Sequence, residues 1–190
     1  TLVIKQTTVK RAKYSFVDVH NHQFDMPIKD LNKLVTEMDS LNMGFMINLS
    51  GYRGLYLKKS LKNIQENAPK RFGLFLNIDF ETIDDIDFTS TQITLIDSAA
   101  AAGVMGLKVY KSLGLTDLDS DGNRIAVNDS RLDPIWNACG KNGIPVLIHS
   151  GEPASFWNPK DKFNERWLEL RQKPSRYRAV SYTHLTLPTI

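Results

Sequence analysis

The chain has 190 residues, 42% of them hydrophobic, and its 24 basic and 21 acidic side chains leave a formal charge of +3; that is enough chain for one sizeable core. Charges so balanced and so scattered imply no polyanion partner, and neither nucleic acid nor an anionic membrane surface is assigned. The single cysteine, Cys139, excludes an internal disulfide and a cysteine-based zinc site, and no run approaches the ~20 apolar residues of a membrane span.

Residues 1–13 read as a leader without a signal-peptide pattern, which leaves the compartment unassigned: soluble, and either cytoplasmic or exported. After it, apolar runs alternate with segments of helical period, the signature of repeated βα units and a parallel sheet. The predicted elements are a strand over 15–20 ("SFVDVH"), a helix over 27–42 opened by Pro27, a strand over 44–50 ("GFMINLS") and a helix over 54–68. A strand over 72–79 ("FGLFLNID"), a helix over 89–102 closed by Gly103 and a strand over 104–110 ("VMGLKVY") follow. A helix over 131–142, with Asp133 before Pro134 in its first turn and Gly143 after it, leads to a strand over 144–149 ("IPVLIH"). "KDKFNERWLELRQK" supplies a fifth helix.

The strand ends His20, Asn48, Ile78, Lys108 and His149 are 28, 30, 30 and 41 residues apart. Eight units at that mean spacing need roughly 256 residues, the length of a (β/α)8 barrel. The fold class expected is therefore α/β, a partial (β/α)8 TIM barrel with about five of eight βα units over 14–178. An open doubly wound sheet is the alternative, and it lacks the Gly-rich phosphate loop after the first strand. Residues 179–190, which include "SYTHLTLPTI", carry no helical period and resemble the peptide encoded when a sequencing adapter is read through; they read as a non-native tail. A parallel sheet stopped after its fifth strand exposes an edge, so the chain alone is expected to aggregate or partly unfold and to be inactive.

The stretch "DVHNH" holds two of the four histidines, His20 and His22. Alternation along a strand puts Asp18, His20 and His22 on one face, pointing inward where Val17 and Val19 pack against outer helices. Two imidazoles spaced in this way can share an ion, and later strand ends of a parallel barrel are where further ligands gather. His149 closes the fifth strand and Lys108 stands near the end of the fourth. The metal-ligand candidates are His20, His22, Lys108 and His149. Tyr110, Glu152 and Trp157 fall in or just after strand ends, and Tyr110 and Glu152 are the substrate-binding candidates.

"DVHNH" on a first strand, a lysine on the fourth and "VLIH" on the fifth resemble the amidohydrolase superfamily, and "GLKVYKSLGL…RLDPIW…IPVLIHSGEP" is similar to its amidohydrolase family 2 branch. The resemblance covers roughly residues 14 to 178. It implies a TIM-barrel enzyme with one or two divalent ions, zinc first and manganese second, held by His20, His22 and His149, with Lys108 as a carbamate bridging two ions. It also implies a strand-six His and a strand-eight Asp that takes the proton of the attacking water. Neither is present here, His184 of the tail is not assigned to the role, and the catalytic residue is left unknown.

A divalent ion brings the pKa of its bound water from 15.7 to about 7 and polarises a carbonyl. The expected function is metal-dependent hydrolysis of a C–N or C–O bond in a small amide, lactone or ester. The alternatives are a metal-dependent decarboxylase of a carboxylated ring, or a noncatalytic metal- or ligand-binding βα-repeat domain. The expected partner is a small-molecule substrate, with no nucleic acid and no membrane, and a homo-oligomer is allowed for the full-length protein.

Three further features carry less. "DLDSDG" begins like a calcium loop, but the twelfth position from Asp117 is Asn128, so a turn and small hairpin are expected there. Cys139, at helical spacing, reads as a small buried apolar residue. The basic cluster "RQKPSRYR" reads as a solvated helix end.

Overall fold

A computed structural model describes residues 8–178, so the first part of the leader and the whole 179–190 tail lie outside the described residues. The chain divides into two compact units after His149. The first holds β1 (Phe16–Asn21), α1 (Leu31–Leu41), β2 (Met43–Asn48), α2 (Gly54–Asn67), β3 (Phe72–Leu76), α3 (Phe88–Ala101), β4 (Gly106–Val109), α4 (Asp133–Lys141) and β5 (Val146–Ile148). The second holds α5 (Trp167–Gln172) between two single turns of 3-10 helix, Ala154–Phe156 and Pro174–Arg176.

All four strand pairings are parallel, and the strands follow one another across the sheet in chain order. A doubly wound sheet reverses its strand order at a switch point; this one does not. The expected α/β class is therefore present, as a five-stranded parallel sheet with alternating helices in the order of a partial βα barrel.

β3 and β4 lie at the centre and are buried at every position, as strands covered on both faces must be. Leu74, Leu76, Leu107 and Val109 meet Leu57, Leu61 and Ile64 of α2, Ile96 of α3 and Ile135 of α4 in one core. Cys139 is buried on α4 as expected, and burial pushes its thiol up to about 11.

Helix α1 starts later than the expected 27, because the Asp30 side chain accepts a hydrogen bond from the Lys33 amide at 3.0 Å and caps the first turn there. It stops at Asn42, whose φ of 66° ends the helical run. The segment after β4 contains the expected small hairpin: Leu118 bridges Arg124 in antiparallel fashion around Gly122, whose φ is 79°.

β1 departs from the expected packing. Val17 and Val19 are 52% and 57% exposed rather than covered by outer helices, because β1 is an edge strand bonded to β2 alone. Its register also shifts between Asp18 and Asn21. Strict alternation of faces is lost there, and the Asp18 carboxylate turns back along the chain to accept from the His20 amide at 3.0 Å and the Asn21 side chain at 2.8 Å.

Candidate functional site

The residues at the sheet's C-terminal ends come from all five strands. His20 lies in β1 and is exposed, while His22, just past it, is half-buried. Their rings meet edge to face with centroids 5.3 Å apart. His149 follows β5 directly, and its amide donates to the Val109 carbonyl at 3.0 Å, continuing the ladder between β4 and β5. A flat sheet would hold its two outer strands about 19 Å apart, four spacings of ~4.8 Å. His149 is nevertheless among the groups that act electrostatically on His22, in keeping with a sheet that curls rather than lies flat.

His22 is held by a chain of hydroxyls. The Leu49 carbonyl can only accept, so the Tyr110 hydroxyl donates to it at 3.2 Å. Ser50 Oγ lies 2.9 Å from the Tyr110 hydroxyl and 2.8 Å from His22 Nδ1. The order that satisfies every proton has Ser50 donating to Tyr110 and accepting from His22 Nδ1, which leaves the lone pair on His22 Nε2. That is the tautomer of a metal ligand, with its other nitrogen fixed by a neighbouring oxygen. Phe24 and Tyr110 stack on the same ring, with centroids at 5.7 and 6.1 Å.

Burial first, then electrostatic interaction with His20, Lys108 and His149, lowers the pKa of His22 and favours its neutral form. Lys108 is 1% exposed, and its Nζ has no hydrogen-bond partner. Burial lowers its pKa as well. Its Nζ lies 6.0 Å from the Tyr110 ring centroid. Burial also raises the Tyr110 hydroxyl.

Three polar residues that sequence reasoning missed join the strand ends. Asn48, fully buried, accepts from the Gln23 and Ser50 amides and donates to the Gln23 carbonyl, all at 3.0 Å. Asn77 donates to the Leu49 and Lys108 carbonyls at 3.1 Å and accepts from the Tyr52 amide at 2.8 Å. With Ser50 they carry the frame that holds His22 and Lys108 in place. The signal available was position alone: each follows an apolar run at a strand end.

A cavity of about 110 Å3 opens between the segments after β3 and β4, and Asp79, Glu81, Lys108, Tyr110, Ser112 and Asp117 line it. Burial raises the pKa of Asp117, and repulsion from Glu81 and Asp79 adds to the rise, while a hydrogen bond from Ser112 opposes it. Asp79 is paired with Arg53.

The donor set suits a divalent ion in kind: a lone pair on a neutral imidazole, two more imidazoles at the same mouth, and a buried amine without a partner. Among the described residues, no three His, Cys, Asp or Glu side chains stand close enough together to hold one unaided. The candidate ligands His20, His22 and His149 therefore do not converge into a three-ligand site as described, and Lys108 Nζ stands apart beside the Tyr110 ring, 6.0 Å from its centroid. The substrate candidate Tyr110 is at this mouth. Glu152 belongs to the second unit, where its carboxylate pairs with Arg178 at 3.0 Å. No family model, curated protein or solved structure matches the chain.

Proposed function

We propose that the chain is part of a metal-dependent hydrolase of the amidohydrolase type, built on a partial (β/α)8 barrel, that cleaves an amide, lactone or ester bond of a small molecule. The observation that carries this reading is the buried amine of Lys108, unpartnered, among the residues that act on His22 together with His20 and His149. A buried polar group without a partner costs about 1–3 kcal/mol, so a fold that keeps one at a strand end has a use for it there. His20, His22, His149 and Lys108 would hold the ion, zinc or manganese. When bound, it would supply a hydroxide at neutral pH and polarise the substrate carbonyl.

The chain's own residues do the positioning. Ser50 and Tyr110 fix the His22 ring, Asn77 fixes the backbone at Lys108, and Phe24 and Tyr110 stack on the imidazole. Asp79, Glu81 and Asp117 make the adjoining cavity repel a carboxylate; this favours hydrolysis over decarboxylation of a carboxylated ring. The proton acceptor for the attacking water is not assigned to a residue of this chain.

The test is turnover of a panel of amides, esters and lactones by the complete protein with zinc or manganese, beside its His20→Ala and His149→Ala variants. Each variant should lose about a hundredfold or more in kcat/KM, since disturbing even an outer partner of a metal ligand costs 10–100-fold. Equal activity in wild type and both variants removes the catalytic reading and leaves a binding domain.

A further inference from the structure

Tyr52 holds a backbone conformation that its own side chain disfavours. Its φ is 52°, in the left-handed region where glycine and asparagine sit easily and a bulky side chain is strained. The conformation is locked from the end of β3. The Tyr52 amide donates to Asn77 Oδ1 at 2.8 Å, and the Asn77 amide donates to the Tyr52 carbonyl at 2.9 Å. Both bonds are made by the backbone of residue 52, so glycine or asparagine would make them with less strain. The strain is therefore kept for the tyrosine side chain, and strain of this kind collects where a side chain is used.

The ring stands between β2 and α2, two residues past the Ser50 hydroxyl that meets His22. It is 36% exposed, so it does not fill the core. It meets the Tyr56 ring edge to face with centroids 4.8 Å apart, and the Tyr56 hydroxyl donates to the Phe24 carbonyl. Phe24 is itself 61% exposed while lying nearly parallel to His22, with 7° between the ring planes. Tyr52 is also among the groups that act electrostatically on the Tyr110 hydroxyl. His22, Phe24, Tyr52, Tyr56 and Tyr110 thus form one connected aromatic group around the candidate site, and Phe24 and Tyr52 are its exposed members. Exposed ring faces and edges recognise another ring by stacking or by an edge-to-face contact, a geometry that a saturated ring cannot match.

We propose that Tyr52 determines specificity, contacting an aromatic ring on the acyl side of the substrate beside His22 and Phe24. The proposal rests on the hydrolase reading only in taking an amide or ester as the group attached to that ring. Asn77 acts as the positioning residue, because it fixes the backbone from which the Tyr52 ring projects.

The test uses benzamide and cyclohexanecarboxamide, which carry the same amide on a flat and on a puckered six-membered ring. Each is titrated calorimetrically into the full chain in the presence of a chelator, so that binding is read without metal-dependent turnover. Benzamide should bind about fivefold more tightly, as expected for one aromatic pair. Tyr52→Phe, which keeps the ring, should retain that preference. In Tyr52→Asn it should fall to about twofold or less, while the melting temperature rises or stays within about 2 °C of the wild-type value, because asparagine accepts the left-handed backbone. A merely structural ring would give the reverse, a lower melting temperature with the preference intact.

Equal affinity of the wild type for the two amides, no binding of either, a preference that survives in Tyr52→Asn, or a Tyr52→Asn chain that melts well below the wild type overturns the proposal. Turnover of both amides with zinc or manganese, measured separately, tests the reading of the reaction. A protein that prefers benzamide but hydrolyses neither compound would refute the hydrolase alone, and one that hydrolyses both while binding them equally would refute the aromatic selection alone.

Discussion

Lys108 is a charged residue type placed where the fold gives it neither water nor a partner. Burying such a group costs stability, and replacing it with an apolar side chain of like volume removes the cost. Lys108→Met is expected to raise the unfolding free energy by about 1–3 kcal/mol, read from urea melts, while removing the proposed metal-dependent activity. A variant less stable than the wild type would mean that the amine has a partner in solution. His22 gives the complementary pH signature. Its pKa is lowered by burial, and further by His20, Lys108 and His149. The unfolded chain therefore takes up a proton near pH ~6.5 that folded His22 still refuses. Stability attributable to His22 is unaffected above that value and falls as pH drops below it. His22→Asn should flatten the loss of stability between pH 7 and 5, and an unchanged slope would contradict the assignment.

At the scale of single elements, the five strands were legible because each is an apolar run closed by a turn residue or a polar strand end, and the helices because Gly103, Pro134 and Gly143 punctuate them. The start of α1 was less so, since Pro27 invites a helix that the Asp30 cap begins only later. The fifth helix is shorter than its sequence suggests. Asn164 holds the preceding segment by donating to the Ser155 and Pro159 carbonyls and accepts from the Arg166 amide, which delays the first turn until Trp167. For the candidate site, the histidines and the lysine stood out as unusual residues at strand ends. Asn48, Ser50 and Asn77 did not, because polar residues after an apolar run look like the start of any loop, and their partners are strands far away in sequence. The turn after β2 shows how tightly those partners meet. The Gly51 amide donates to the Phe75 carbonyl at 3.0 Å, and a Cβ on Gly51 would lie 2.2 Å from that oxygen. Gly51→Ala must push β2 away from β3 and displace Ser50 with it. A loss of about 2 kcal/mol or more in unfolding free energy is expected, and, on the proposed metal-dependent reading, weaker metal binding through the loosened His22. Wild-type stability in this variant would show that the two strands approach less closely than described.

At the scale of the whole molecule, the decisive feature is a parallel sheet whose outer strands, among the described residues, each pair on one side only. β1 and β5 each bond a single neighbour. On β1, Val17 and Val19 remain 52% and 57% exposed, and Tyr14 just before the strand is 73% exposed. Unpaired strand edges bearing apolar, β-branched side chains are templates for pairing with another chain. Nothing in the charge balance opposes this, since +3 over 190 residues gives little mutual repulsion. The chain is therefore expected to self-associate with rising concentration, seen as a growing mass in light scattering. Val17→Lys with Val19→Lys puts positive charge on that margin without disturbing the core, because neither side chain is buried. Association should fall markedly, while the melting temperature stays close to the wild-type value, as surface substitutions usually change stability by about 0.5 kcal/mol or less. A wild-type chain that remains monomeric at high concentration, or a double variant that associates as before, would show that β1 is not the surface through which chains meet.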